Sequence, residues 1–188
     1  LVEQLYWRTV PVPYVAVWSS ETERYVATCR YSGGREALFS KGKRGEGEPV
    51  WGKMHEARQR ETCATARCQV CNCKLNDERR FGMDAPQMMQ HQGKVYQVLT
   101  EPPCCARCAR YSMEHCPGIR KRLEDGSLRC FEVFAYAAIG QIVGAVDGGD
   151  TDLNELLQPG QTVIGYHKCL LTQAEQITAD ELKERVKL

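Results

Sequence analysis

From Val10 the chain alternates apolar and interrupting positions. Val10, Val12, Tyr14 and Ala16 are interleaved with Pro11, Pro13 and Val15, a period of two that predicts a strand. Residues 9–34 read as that strand, a polar turn and a second strand. The two prolines remove ladder donors and confine the first strand to an edge or to its own start. "SGG" at 32–34 and "KGKRGEGEP" at 41–49 break the pattern and predict loops, the second of them mobile and basic. Residues 52–67, "GKMHEARQRETCATAR", contain no breaker after Gly52 and many good helix formers, so a helix is expected to deliver the chain to Cys68.

Periodicity is lost over 75–94, which reads as an irregular excursion, and returns in "KVYQVLT", 94–100, as a strand. A helix is expected from near Cys105 to Cys116, stopped by Pro117-Gly118. After the turn "EDGS" at 124–127, the aromatic and β-branched run at 128–146 predicts a pair of core strands. "GGDTDLNELL" predicts a turn and a short helix capped by Asp150 or Thr151, and "QTVIGYHKC" a further strand. Two capping-box patterns, Thr172 to Glu175 and Thr178 to Glu181, predict two short helices in the tail. The sum is an α+β chain: a small mixed or antiparallel sheet with helices and an inserted, treble-clef-like four-cysteine zinc module. The expected organisation is one compact domain over 1–188, with the zinc-binding module at 63–122 and a C-terminal α/β part at 123–188.

Composition narrows the function classes more than it selects one. Hydrophobic residues make up 43% and charged residues 26% of the 188, the balance of an ordinary globular protein rather than a disordered one. No apolar run reaches the length of a membrane span, and the first residues lack a signal-peptide pattern. A cytoplasmic protein without membrane association is therefore expected. The formal charge of +1 argues neither for nor against a polyanionic partner. Charge is more uneven locally, in "KGKR" at 41–44, "ARQR" at 57–60 and "RKR" at 120–122.

Eleven cysteines change the picture. In a reducing compartment, clustered Cys-x-x-Cys pairs are metal ligands rather than disulfides. Cys68 and Cys71 form one pair, Cys105 and Cys108 the other. Zinc takes four soft ligands in a tetrahedron, and each pair offers two thiolates from one tight turn. The first pair has the form of a knuckle; the second straddles a helix start, where amide dipoles favour anions. Four thiolates close the coordination sphere, so the zinc is expected to be structural. Cys73 and Cys104 are alternative ligands or members of a second site. Cys116, eleven residues past Cys105, is too far along the helix and is expected to pack as a small apolar group. Cys29, Cys130 and Cys169 lie in strand-like runs and are expected in the core; Cys63 and His115 leave the ligand choice open.

"VPYVAVWSSE", "GEPVWGKMHEARQR", "CQVCNC" and "PPCCARCARYSMEHCPGIRK" together resemble an uncharacterised family of actinobacterial and actinophage proteins. Its members share an aliphatic–Trp-Ser-x-Glu stretch, a His-x-x-Arg-Gln-Arg helix, a C-Q-V-C pair and a P-P-x-C-x-x-C-A run ending in Cys-Pro. The resemblance covers roughly residues 11–122. It implies Cys105 and Cys108 as the second pair, with Cys104 at a variable apolar position and Cys73 where the family has a small residue. It implies no activity.

Sharper chemistries fit the spacing poorly. Nucleobase deaminases need H-x-E followed by P-C-x-x-C; no His-x-Glu occurs here, and Arg107 stands three positions after the proline-adjacent Cys104. An HNH-type nuclease would need a histidine on the strand before the second pair, and "GKVYQVLTEPP" has none; His91 precedes it and His115 follows far beyond. "DGGDTDLNE" at 147–155 lacks the glycine position and full ligand alternation of a calcium loop. His167 reads as a strand residue with an ordinary hydrogen bond.

Recognition is the broader reading. Arg107 and Arg110 fall at i and i+3 on one helix face, with Arg120, Lys121 and Arg122 beyond, and Tyr111 is placed to stack on a base. A zinc-stabilised protein binding nucleic acid or a protein partner is therefore expected. The alternative is an enzyme, an HNH-like nuclease or a small-molecule enzyme, with its chemistry outside the zinc site. His55, Glu56, Arg58 and Arg60, in a cleft beside the N-terminal strands, are the candidate catalytic groups.

Overall fold

Strand pairing, not helix propensity, decides where the first helix begins. In the computed structural model, which describes residues 3–75, 79–84, 87–145 and 151–187, the strands β1 (Tyr6–Trp7), β2 (Val10–Pro11), β3 (Ala16–Trp18), β4 (Arg24–Cys29), β5 (Arg35–Ser40) and β6 (Pro49–Met54) precede helix α1 (Glu56–Ala64). Residues 52–54, expected to be helical, belong to β6, which pairs antiparallel with β3. The His55 N–H donates to the Val15 carbonyl at 2.7 Å, and the His55 carbonyl accepts the Gln59 N–H. The helix can start only after that anchored residue.

The chain continues through β7 (Arg80–Asp84), β8 (Gln87–His91), β9 (Lys94–Leu99), β10 (Cys104–Cys105), α2 (Ala106–His115), α3 (Pro117–Glu124), β11 (Arg129–Gly144), α4 (Thr151–Leu156), β12 (Thr162–Ile177) and α5 (Ala179–Arg185). The mixture of helices with antiparallel and parallel strand pairs is α+β, as expected from the sequence. The described residues fall into two compact units.

One unit holds Thr62–Ile139 and residues 168–187. Here β7 lies between β10 and the start of β11, antiparallel to both, and β9 pairs antiparallel with β8 and with β12. The expected excursion at 75–94 is thus two strands. Phe81 and Met83 are buried in the main core of the unit beside Leu75, Ala109, Met113 and Leu182. The β8–β9 turn is Gln92-Gly93, both residues at positive φ (47° and 75°), the form a two-residue hairpin requires. Gln92 stands where Asn or Asp usually signals such a turn.

Pro117 does not end the helical region. It occupies the first turn of α3, where a missing N–H is harmless, after a break at Cys116. The expected core-strand pair at 128–146 is one 16-residue strand, β11. Gly140 does not break it: a side chain there would run into Ile164. β12 likewise continues through Thr172. Glu175, which would complete the first capping box, is held by Arg185 at 2.7 and 3.0 Å instead. The second box forms as expected, with Glu181 N–H donating to Thr178 Oγ1 and Thr178 N–H to Glu181 Oε2.

The other unit holds residues 3–61 and 140–167. β4 pairs antiparallel with β5 along its whole length, and β5 is parallel to β12 at Ala37 and Ile164. The alternating run at 10–16 is not one strand: the Pro13 carbonyl accepts the Ala16 N–H at 3.0 Å, a turn that separates β2 from β3. Residues 41–48 form the expected loop. Residues 146–150, which take in the expected Asp150 cap and the first positions of the 147–155 acidic loop, lie outside the described residues.

Candidate metal centre

Two backbone devices present the cysteines. Between Ala66 and Leu75 the chain folds back on itself: Leu75 N–H donates to Ala66 O at 2.9 Å, Cys68 N–H to Cys73 O at 2.9 Å, and Asn72 N–H to Cys68 O at 2.8 Å. Asn72 takes a φ of 56°, a left-handed conformation that Asn tolerates better than most side chains. Arg67 Nη1 secures the turn on the Asn72 carbonyl at 2.9 Å. Cys68 and Cys71 both project from this knuckle.

The second device is a strand running into a helix. β10 pairs with β7, Cys104 opposite Phe81 and Cys105 opposite Arg80. That pairing fixes Cys105 in an extended conformation as the N-cap of α2, with Cys108 in the first turn. The unpaired amides and dipole of a helix start favour negative charge on both sulfurs.

The four sulfurs of Cys68, Cys71, Cys105 and Cys108 lie within 4.8 Å of one another, and Cys71 and Cys105 are 3.8 Å apart. This cluster could hold a metal ion. Three of the four cysteines are buried, and Cys71 is half-buried. Hydrogen bonds with Cys105, Cys108 and Cys68 push the Cys71 thiol far down toward thiolate, and the Cys73 N–H adds to the effect. The same sharing, with Cys105, Cys68 and Cys71, pushes Cys108 up. Four thiols this close titrate as one coupled group, and a cation bound there would take the place of their protons.

Of the alternative ligands, Cys104 turns away from the cluster, whereas the Cys73 side chain stays beside it, hydrogen-bonded to the Cys68 thiol. Cys104 is buried and its thiol donates to the Phe81 carbonyl at 3.4 Å. Cys73 supplies the knuckle with backbone bonds and packs half-buried against the core of the unit. Cys116 is half-buried at the junction of α2 and α3. Cys29, Cys130 and Cys169 are buried as expected, and Cys63 sits beside Cys169.

The basic residues of α2 and α3 divide. Arg107 is exposed but hydrogen-bonds the Cys71 sulfur, which pushes its guanidinium pKa up. Spacing alone carries no sign of this pairing, because Arg107 and Cys71 lie on different elements. Arg110 pairs with Glu114 at 3.0 Å, one turn on. Tyr111 packs on the His115 ring with centroids 4.4 Å apart. Arg120 and Lys121 are exposed on α3, and Arg122 is half-buried.

His55, Glu56, Arg58 and Arg60 come together in the other unit, all of them buried. Arg58 makes two bonds to Glu21, at 2.5 and 2.7 Å, and one to the Ala16 carbonyl at 2.6 Å. Arg60 donates to the carbonyls of Leu38 and Gly165 and lies over the Phe39 ring. Glu56 faces Arg24 at 3.3 Å and accepts from Ser40. Burial, with Arg58 alongside, pushes the His55 imidazole down, 3.7 Å from Glu21. These groups tie strands to α1. His167 is in β12 with Nε2 3.1 Å from Ser32 Oγ, the ordinary bond expected of it.

Among known proteins, no family model, curated protein or solved structure matches this chain. Among the described residues, no helix is long and apolar enough to cross a membrane.

Proposed function

We propose that the chain is a zinc-stabilised recognition protein, with one structural zinc on Cys68, Cys71, Cys105 and Cys108 in a treble-clef-like setting. The observation that carries this reading is the distance between the sulfurs. A tetrahedral zinc at a Zn–S distance of about 2.3 Å sets its sulfurs about 3.8 Å apart. Cys71 and Cys105 stand at 3.8 Å. An all-thiolate set favours zinc over calcium or magnesium, which take oxygen ligands. The ligand set agrees with that implied by the resemblance to actinobacterial and actinophage proteins.

The partner is nucleic acid, met by the exposed basic groups that α2 and α3 carry beside the zinc. Arg120 and Lys121 lead, Arg110 is available by exchanging Glu114 for phosphate, and Tyr111 supplies a ring. Fluorescence anisotropy with labelled single- and double-stranded oligonucleotides tests this. Affinity should fall steeply as salt rises, and Arg120→Ala with Lys121→Ala should flatten that slope by about one for each phosphate no longer neutralised. Absent or salt-independent binding transfers the recognition role to a protein partner.

A further inference from the structure

Cys63, in the last turn of α1, and Cys169, in β12, bring their Sγ atoms to 3.0 Å although 106 positions separate them. Both belong to the unit that carries the metal centre, but they occupy a different core cluster. Its other members are Leu99, Phe131, Val133 and Leu171, with Tyr136 at the margin. The two cysteines are 2% and 0% exposed. Both backbones are pinned. Tyr136 Oη donates to the Cys63 carbonyl at 2.9 Å, and Cys169 is in register with Leu99 of β9.

A thiol is a weak donor and a weak acceptor, so hydrogen bonding alone is a poor reason for two sulfurs to sit this close. We infer that Cys63 and Cys169 are a disulfide-forming pair, closed by a small peroxide oxidant. Hydrogen peroxide converts one thiol to a sulfenic acid and releases one water. The second thiol then attacks the sulfenic sulfur, forming the S–S bond and releasing a second water. Sulfur loses two electrons in all, and the peroxide oxygen takes them.

Burial, reinforced by the neighbouring Cys169, holds Cys63 well up as a neutral thiol. Bulky alkylating reagents are therefore kept out of the folded chain. The first oxidation follows local opening of the cluster, and the neighbouring thiol captures the sulfenic acid as the cluster recloses. The bond ties the end of α1 to β12 across a long loop, and it uses none of the four metal-centre cysteines.

The test is a cysteine map of the purified full chain. Protein is treated with hydrogen peroxide, unfolded in excess N-ethylmaleimide, and digested without reductant. The expected product is a crosslinked peptide pair containing Cys63 and Cys169. It should grow with peroxide dose, lose its link in dithiothreitol, and account for a chain lighter by two hydrogens. Cys104, equally buried, should carry maleimide throughout. Maleimide on both Cys63 and Cys169 after treatment, or either one linked to another cysteine, overturns the assignment. In Cys169→Ser the link should vanish and Cys63 should advance to sulfinic acid. If that variant does not fold, the map of the unaltered chain decides alone.

Discussion

Cys71 Sγ lies 3.8 Å from Cys105 Sγ across 34 positions of chain, and this approach joins the knuckle to the helix start. Neither element supplies four ligands alone. Two adjacent cysteines therefore differ in placement: Cys105 joins the four-sulfur cluster, whereas Cys104 points its thiol at the Phe81 carbonyl. Cys105→Ser should abolish the thiolate charge-transfer bands of the cobalt-substituted protein. Cys104→Ser should keep them at full intensity. Equal loss in both variants would contradict this ligand choice.

Arg107 is placed to steady a metal held by the four cysteines. Four thiolates around a dication leave two excess negative charges, and the Arg107 guanidinium hydrogen-bonds the Cys71 sulfur. Partners of this kind typically matter about ten- to a hundredfold in metal affinity. Arg107→Ala should release metal to a competing chelator more readily by that order. Arg107→Lys should recover part of the loss, while Arg110→Ala should leave metal retention unchanged.

The Glu21–Arg58 pair should carry a large share of local stability. Arg58 is anchored by two bonds to a carboxylate and one to the Ala16 carbonyl, with both side chains buried. Arg58→Ala strands a buried carboxylate and should cost about 3–5 kcal/mol in urea unfolding. An unchanged urea midpoint in that variant would contradict the buried pair's contribution to stability.

Stability should also fall in mild acid. Burial, with Arg60 and Arg35 nearby, pushes the His167 imidazole down to about 4. An unfolded imidazole titrates near 6.5. Above that pH the ring is neutral in both states. Between 6.5 and 4 the unfolded chain takes up a proton that the folded chain refuses, which removes about 3 kcal/mol in all. Urea midpoints should decline from about pH 7 to about pH 5. The decline should be shallower in His167→Gln, with His55 contributing part of what remains because it is pushed down in the same way. An unchanged slope in that variant would contradict the assignment.

The four-cysteine cluster was legible because its signal is local. Each Cys-x-x-Cys fits one turn, and only the meeting of the two pairs needed the fold. The helix of residues 106–115 and the Thr178 capping box were legible for the same reason. What was not legible was whatever distant pairing settles. Residues 52–54 carry no breaker after Gly52, but β3 claims them as strand. Thr172 and Glu175 have the spacing of a helix start, but Arg185 claims the glutamate. His55, Glu56, Arg58 and Arg60 look in sequence like converging acid–base and basic groups. Their partners, Glu21, Arg24, Leu38 and Gly165, lie far from them along the chain, so no local spacing announces these bonds. No spacing rule could have paired Cys63 with Cys169.

Whether zinc sits on the four cysteines is decided by elemental analysis of the purified full chain. About one zinc per chain is expected, lost together with the folded signal of the cysteine-bearing unit when a strong chelator is added. A chain that folds with no bound metal, or that carries a different metal in place of zinc, would contradict the assignment.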